Sequence, residues 1–189
     1  MKLTPLEIEG VWLAESDVWS DSRGRLNEWF KPKEILEITG IDFAVQQANI
    51  SSSKKGVIRG IHFSSAPEGQ AKWVSCISGL ILDVVVDTRP TSPTFRRYVS
   101  IELKGGDGRA LLIDHGLGHG FIALEDESDV AYLLSSEFNP GCEIGFSPLD
   151  PTLEINWQTE RLDGINVTLS EKDLIAPTLK DLLASKNKK

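Results

Sequence analysis

The sequence predicts an all-β sandwich or barrel with short peripheral helices, mainly C-terminal. Three observations carry that expectation. Eight or more short runs of β-branched, aromatic and aliphatic residues are separated by Gly, Pro, Asn and Asp turn signals. Only three short stretches have helical spacing, and two of them lie near the C-terminus. No repeat, low-complexity segment or linker divides the 189 residues, which suffice for a single core. The chain therefore reads as one domain over residues 1–189, with a core over about 6–157 and a helical segment over 158–189 packing on it.

Taken in order, residues 6–19 (LEIEGVWLAESDVW) alternate loosely and predict a strand or two. Asp21-Ser22-Arg23-Gly24 is a turn signal. Residues 25–30 (RLNEWF) form a short strand carrying Glu28. Residues 32–40 open on Pro32 and end on Gly40, the asymmetry of a short helix. Residues 43–51 are strand-like, with Gln47 and Asn49 on one face by the period of two. Residues 71–78 and 80–87 predict a hairpin about Ser78-Gly79. Both of its strands are apolar on both faces, so a second sheet or a partner chain should cover each side. Asp83 stands alone inside LILDVVVD, and a buried carboxylate needs a partner. Strands follow at 97–104, 110–113, 119–124 and 129–138. Ser170 reads as the N-cap of a helix, and residues 178–185 as a second one.

Composition narrows the function. Charged residues at 25% and hydrophobic ones at 40% fit a soluble globular protein. A net charge of −8 argues against a nucleic-acid partner but leaves room for an anionic small ligand held by local arginines and lysines. The apolar runs are too short for a membrane span, and the start MKLTPLEIEG lacks the apolar region of a signal peptide. Cys76 and Cys142 alone do not make a disulfide framework or a zinc site, so the expected compartment is the reducing cytoplasm.

The stretch over residues 56–74, GVIRGIHFSSAPEGQAKWV, sets Arg59, His62 and Lys72 among Val, Ile, Phe and Trp. Ionisable groups among apolar neighbours mark candidate sites. His62 alone would read as a core histidine. Three basic groups in one sheet region repel unless something anionic sits among them. His119 lies between glycines that allow close backbone approach, beside a ligand or at a sharp strand entry. His115 reads as a surface turn residue, and the Pro67–Gln70 turn as a loop. Tyr132 in isolation reads as core. Glu28, Gln47, Asn49 and Glu143 in isolation read as surface. The sequence lacks a metal-binding HxH pattern, GxSxG, GxGxxG and a P-loop.

In combination these segments resemble the dTDP-4-dehydrorhamnose 3,5-epimerase family, which makes dTDP-4-keto-L-rhamnose from dTDP-4-keto-6-deoxy-D-glucose. The resemblance runs from about residue 6 to about residue 180. It is carried by DSRG with Glu28, Gln47-Ala48-Asn49, GVIRGIHF, Gln70-Ala71-Lys72, DVVVD with SPTF, GHGF, Tyr132, and Asp150-Pro151 followed by Trp157. It implies a cupin jelly roll, a homodimer, and no metal or cofactor. It also implies roles: His62 as the base, Asp173 as the carboxylate orienting it, Tyr132 as the acid on the other face of the sugar, and Lys72 beside the C4 oxygen. Arg23, Glu28, Gln47, Asn49, Arg59, His119, Phe138, Glu143 and Lys172 match the substrate-binding set, with Asp83 in support. Phe138 stands where the family commonly has a tyrosine stacked on thymine. It keeps the aromatic face and loses the hydroxyl. The alternatives are a single-site epimerase of an antibiotic-sugar pathway, a non-catalytic sugar-nucleotide-binding cupin and a metal-dependent cupin enzyme.

Overall fold

The computed structural model describes residues 1–64 and 69–186; Pro67 and Glu68 of the expected loop lie outside them. The described strands are β1 (Lys2–Pro5), β2 (Val11–Glu15), β3 (Val18–Asp21), β4 (Gly24–Asn27), β5 (Gln47–Ser53), β6 (Ile58–Ser64), β7 (Lys72–Ser78), β8 (Leu80–Asp87), β9 (Tyr98–Lys104), β10 (Arg109–Ile113), β11 (Leu117–Ala123), β12 (Ser128–Leu134) and β13 (Glu143–Gly145). The helices are α1 (Pro32–Thr39), α2 (Glu171–Leu174) and α3 (Leu179–Lys186). A six-stranded sheet runs β1-β2-β10-β7-β12-β5 and a five-stranded sheet β13-β6-β11-β8-β9, while β3 and β4 pair only with each other. From β5 to β13 the chain alternates between the two large sheets except at β8–β9, the path of a jelly roll. The expected all-β sandwich with peripheral helices is what forms.

The pattern of β8 explains the layering. Ile81 and Val85 project between the sheets, where they pack with Val74, Leu111, Phe121 and Val130. Leu82, Val84 and Val86 project the other way, onto Phe146, Leu153, Trp157, Leu162 and Leu179 of the C-terminal third. A strand buried on both faces reads as a continuous apolar run, and each fully buried aliphatic side chain contributes about 1.5–3 kcal/mol. The outer face of the six-stranded sheet is covered similarly: Ile35 of α1 and Phe43 close over Trp73, Ala110 and Leu112. Gly40 ends α1 in the left-handed conformation, φ 75°, with its N–H donating to the Leu36 carbonyl.

One expectation is corrected. Residues 72–78 and 80–87 are strands, but they do not form a hairpin: β7 lies in the six-stranded sheet between β10 and β12, and β8 in the five-stranded sheet between β11 and β9. Gly79, at φ 74°, turns the chain from one sheet to the other, and a side chain there would come within 2.5 Å of Ser128 Oγ. Burial on both faces requires an interior place in some sheet, which β7 and β8 each have, and a glycine turn does not say which sheet the next strand joins. The turn signal was right, and the pairing partner was not local.

Candidate active site

A cavity of about 490 Å³ opens between the sheets. Its walls come from β5 (Asn49, Ser51), β6 (Arg59, His62), β7 (Lys72), β11 (His119, Phe121) and β12 (Tyr132, Leu134). Thr168, Leu169, Ser170 and Asp173 reach it from the C-terminal segment. Glycine makes the wall possible. A Cβ on Gly60 would sit 2.6 Å from Gly120 Cα, so β6 and β11 approach more closely than side chains permit, and His62 and His119 become cross-strand neighbours.

His62 Nε2 lies 2.6 Å from Asp173 Oδ1, across 111 residues of chain. Ser170 holds the backbone that carries the carboxylate: it is the N-cap of α2, and its Oγ accepts from the Asp173 N–H at 3.1 Å. With Nε2 held by a carboxylate, Nδ1 is the ring nitrogen left to act as a base. Burial lowers the His62 pKa below its ordinary value, partly opposed by Asp173. The neutral, proton-accepting form is thereby favoured. Lys72 Nζ donates to the His62 carbonyl at 3.1 Å and is buried. Burial pushes its ammonium down to about 8, against the pull of Glu143 and Asp83. Tyr132 projects from the opposite sheet, so a ring bound in the cavity would have His62 and Tyr132 on different sides.

Around this centre the expected residues divide. Arg59, Asn49, His119, Phe138 and Glu143 line the cavity. Arg59 is held by Ser53 Oγ and the Ser52 carbonyl, each at 3.0 Å. Gln47, Lys172 and Asp83 act one layer out. Gln47 Nε2 donates to Asn49 Oδ1 at 2.9 Å, Lys172 Nζ to Glu143 Oε2 at 2.9 Å, and Asp83 Oδ2 lies 2.8 Å from His119 Nε2. Asp83 is wholly buried, and its Oδ1 has no partner among the described residues. Gln70 also lines the cavity. In the sequence it belongs to an expected loop, yet it stands two residues from Lys72, the spacing that puts side chains on one face.

Two expected residues are elsewhere. Arg23 and Glu28 belong to the β3–β4 hairpin and the residue that follows it, outside both large sheets. Arg23 pairs with Asp21 at 2.6 Å and is 88% exposed, and Glu28 pairs with Lys31. Trp19 and Leu26 on the same hairpin are 50% and 67% exposed. Among the described residues no group of three His, Cys, Asp or Glu side chains is arranged to hold a metal ion, and no helix is long and apolar enough to cross a membrane.

Residues 5–181 match the family model of dTDP-4-dehydrorhamnose 3,5-epimerase. The RmlC epimerase structure from Mycobacterium tuberculosis is 42% identical, with a TM-score of 0.94, and the match covers 98% of this chain and 92% of that one. A dTDP-4-dehydro-6-deoxyglucose 3-epimerase from Streptomyces bikiniensis is 43% identical over 175 residues, 93% of this chain and 87% of its own. The RmlC structure from Legionella pneumophila, in complex with dTDP-4-keto-L-rhamnose, is 36% identical with a TM-score of 0.88, covering 95% and 93%. The paired histidine and carboxylate, the tyrosine facing them and the full-length match lead to one conclusion: the chain belongs to the dTDP-4-dehydrorhamnose 3,5-epimerase family.

Proposed function

We propose that this chain epimerises dTDP-4-keto-6-deoxy-D-glucose at C3 and C5, giving dTDP-4-keto-L-rhamnose. The observation that carries the reading is His62 on one sheet wall, paired with Asp173 of α2, with Tyr132 on the other wall and Lys72, from the strand beside Tyr132's, reaching the His62 carbonyl. A proton α to a ketone is too weakly acidic to leave in water at useful rates, so a base and enolate stabilisation are both required. His62 takes the proton, and Asp173 fixes its tautomer and supports the imidazolium that forms. The ammonium of Lys72, desolvated and therefore strongly felt, offsets the charge developing on the C4 oxygen. Tyr132 returns a proton from the opposite face, which inverts the carbon. The ketone activates both C3 and C5, so one base and one acid serve both if the ring shifts between steps and, in that interval, His62 gives its proton to solvent and Tyr132 regains one.

Arg59 suits a bidentate contact with the diphosphate, and Phe138 offers an aromatic face to the thymine. Asp83 acts by fixing the ring of His119, and Lys172 by fixing Glu143. Residues 1–189 are taken as one epimerase domain working in the cytoplasm, in keeping with the buried thiol of Cys76. The state we propose is a homodimer. Arg23 and Glu28 stand off this chain's own cavity on a hairpin with exposed Trp19 and Leu26, and a second copy would cover those apolar groups.

The second reading is a single-site epimerase, the activity named for the 43% identical Streptomyces bikiniensis protein. Turnover in D₂O followed by NMR of the product decides between them. Label at C3 and C5 supports the double epimerase, label at one carbon supports the single one, and no label overturns both.

A further inference from the structure

The segment leaving β12 crosses from the six-stranded to the five-stranded sheet before it re-enters the fold at β13, and it carries Phe138 over the cavity. The Phe138 ring is 55% exposed, so packing alone does little to orient it. Its direction is set by how the backbone beneath it is tied. The strand ladder ends where Ser135 N–H donates to the Ala71 carbonyl at 3.1 Å. Beyond that point two glutamine side chains take over. Gln70 Nε2 donates to the Ser136 carbonyl at 3.0 Å and to Ser136 Oγ at 3.2 Å. Gln47 Oε1 accepts from the Phe138 N–H at 2.7 Å. Ala71 N–H donates to Ser135 Oγ at 2.8 Å, which seats the start of the segment against the residue next to Gln70.

A strap held by side chains at two points keeps a fixed height above the cavity, and an amide donating to two acceptors on one residue resists its lifting. We infer that Gln70 is a positioning residue for Phe138, setting affinity for the nucleotide through the strap and not by contact with the reacting carbons. The inference rests on the proposal that Phe138 receives the thymine ring. It adds the group that presents the ring to the base, and it separates nucleotide capture from chemistry: Gln70, two residues ahead of β7, holds the strap, and Lys72, the first residue of β7, meets the oxygen.

The test is a double-mutant cycle on dTDP binding, measured by calorimetry with the full chain as wild type, Gln70→Met, Phe138→Ala and the double variant. Methionine matches the length of glutamine and donates no hydrogen bond. Phe138→Ala is expected to weaken dTDP binding about 10-fold or more, the size of one lost base–aromatic stack. Gln70→Met is expected to weaken it about 5- to 10-fold, the size of a net hydrogen bond. The double variant should be no weaker than Phe138→Ala alone, because Gln70 has nothing left to position. In turnover, Gln70→Met should raise KM with kcat within about two-fold, the sign of lost uniform binding. Additive losses in the cycle overturn the inference, as does a fall in kcat at unchanged KM. If Phe138→Ala binds dTDP as tightly as wild type, it is the stacking proposal that fails, a result distinct from additivity.

Discussion

Two histidine–carboxylate pairs stand side by side in this molecule. His62 and His119 are direct partners across β6 and β11, and each meets an aspartate at hydrogen-bond distance. The resemblance ends there. Asp83 comes from the adjacent strand β8, is wholly buried, and faces a histidine whose side chain is only 10% exposed. Asp173 comes from a four-residue helix after the sandwich is complete, and its histidine is 26% exposed at the cavity. One pair is part of the wall. The other is assembled on the wall by a separate piece of chain, and its histidine is left accessible to a substrate. The same two residue types make both pairs and both histidines line the cavity; what differs is where the carboxylate originates and how far the histidine is exposed.

The largest expected effect lies at the accessible pair. His62→Ala should slow solvent deuterium incorporation at C3 and C5 by about 10⁴-fold, the upper range for a positioned general base. Incorporation at the wild-type rate would remove the distinction between the pairs. The walled pair should answer differently. Asp83→Ala leaves the buried His119 nitrogen without its acceptor and opens a void, so unfolding free energy should fall by about 3 kcal/mol in urea denaturation. Asp173→Asn should do the reverse, costing about 10²-fold in rate while the urea midpoint moves little, because the amide fills the same buried space and only the charge that orients the proposed base is lost. Equal losses of stability in the two variants would show that the pairs do the same work.

The pH profile of kcat/KM sharpens the same contrast, because it reports ionisations in the free enzyme. His62 must be neutral to accept a proton, and burial lowers its pKa, so the acid limb should fall below the ordinary histidine value. Lys72 must be charged to meet the enolate, and its pKa is lowered to about 8, so activity should decline as pH rises through that value. Lys72→Met should lower the rate and abolish the alkaline limb. An alkaline limb that survives in Lys72→Met would mean that another group carries it.

The same division governs what could be read without the structure. The double-sided apolar pattern of residues 80–87 announced a covered sheet, and Asp83 was visible as a carboxylate in need of a partner. Its partner was not visible. Strand neighbours 36 residues apart are joined by register, and local patterning carries no register between distant strands. The supposed hairpin about Gly79 failed for the same reason: a glycine turn signals a change of direction and not which sheet follows. Arg59, His62 and Lys72 were legible because cations among Val, Ile and Trp conflict with burial. Arg23 and Glu28 were named through resemblance alone, and among the described residues of one chain their ion pairs are with Asp21 and Lys31. Gln70 belongs to a segment that carries the resemblance, but its place in the cavity is not legible, because a glutamine beside a turn looks like any solvated residue.

The smallest effect isolates the joint that makes the accessible pair possible. Ser170 is exposed on its own account, yet its Oγ takes the Asp173 N–H and closes the first turn of α2. In a helix of four residues that bond is a large share of what holds the backbone in place. Ser170→Ala should cost about 1 kcal/mol of stability, and it should slow deuterium exchange several-fold as Asp173 loses its fixed approach to His62. Threonine retains the capping oxygen, so Ser170→Thr should recover most of the rate. A Thr variant as slow as the Ala variant would mean that Ser170 acts on the cavity it lines and not through the cap. If the rate is recovered, the approach of Asp173 to His62 traces to a single hydroxyl far along the chain, whereas the walled pair needs no such device because β8 and β11 already fix both of its members.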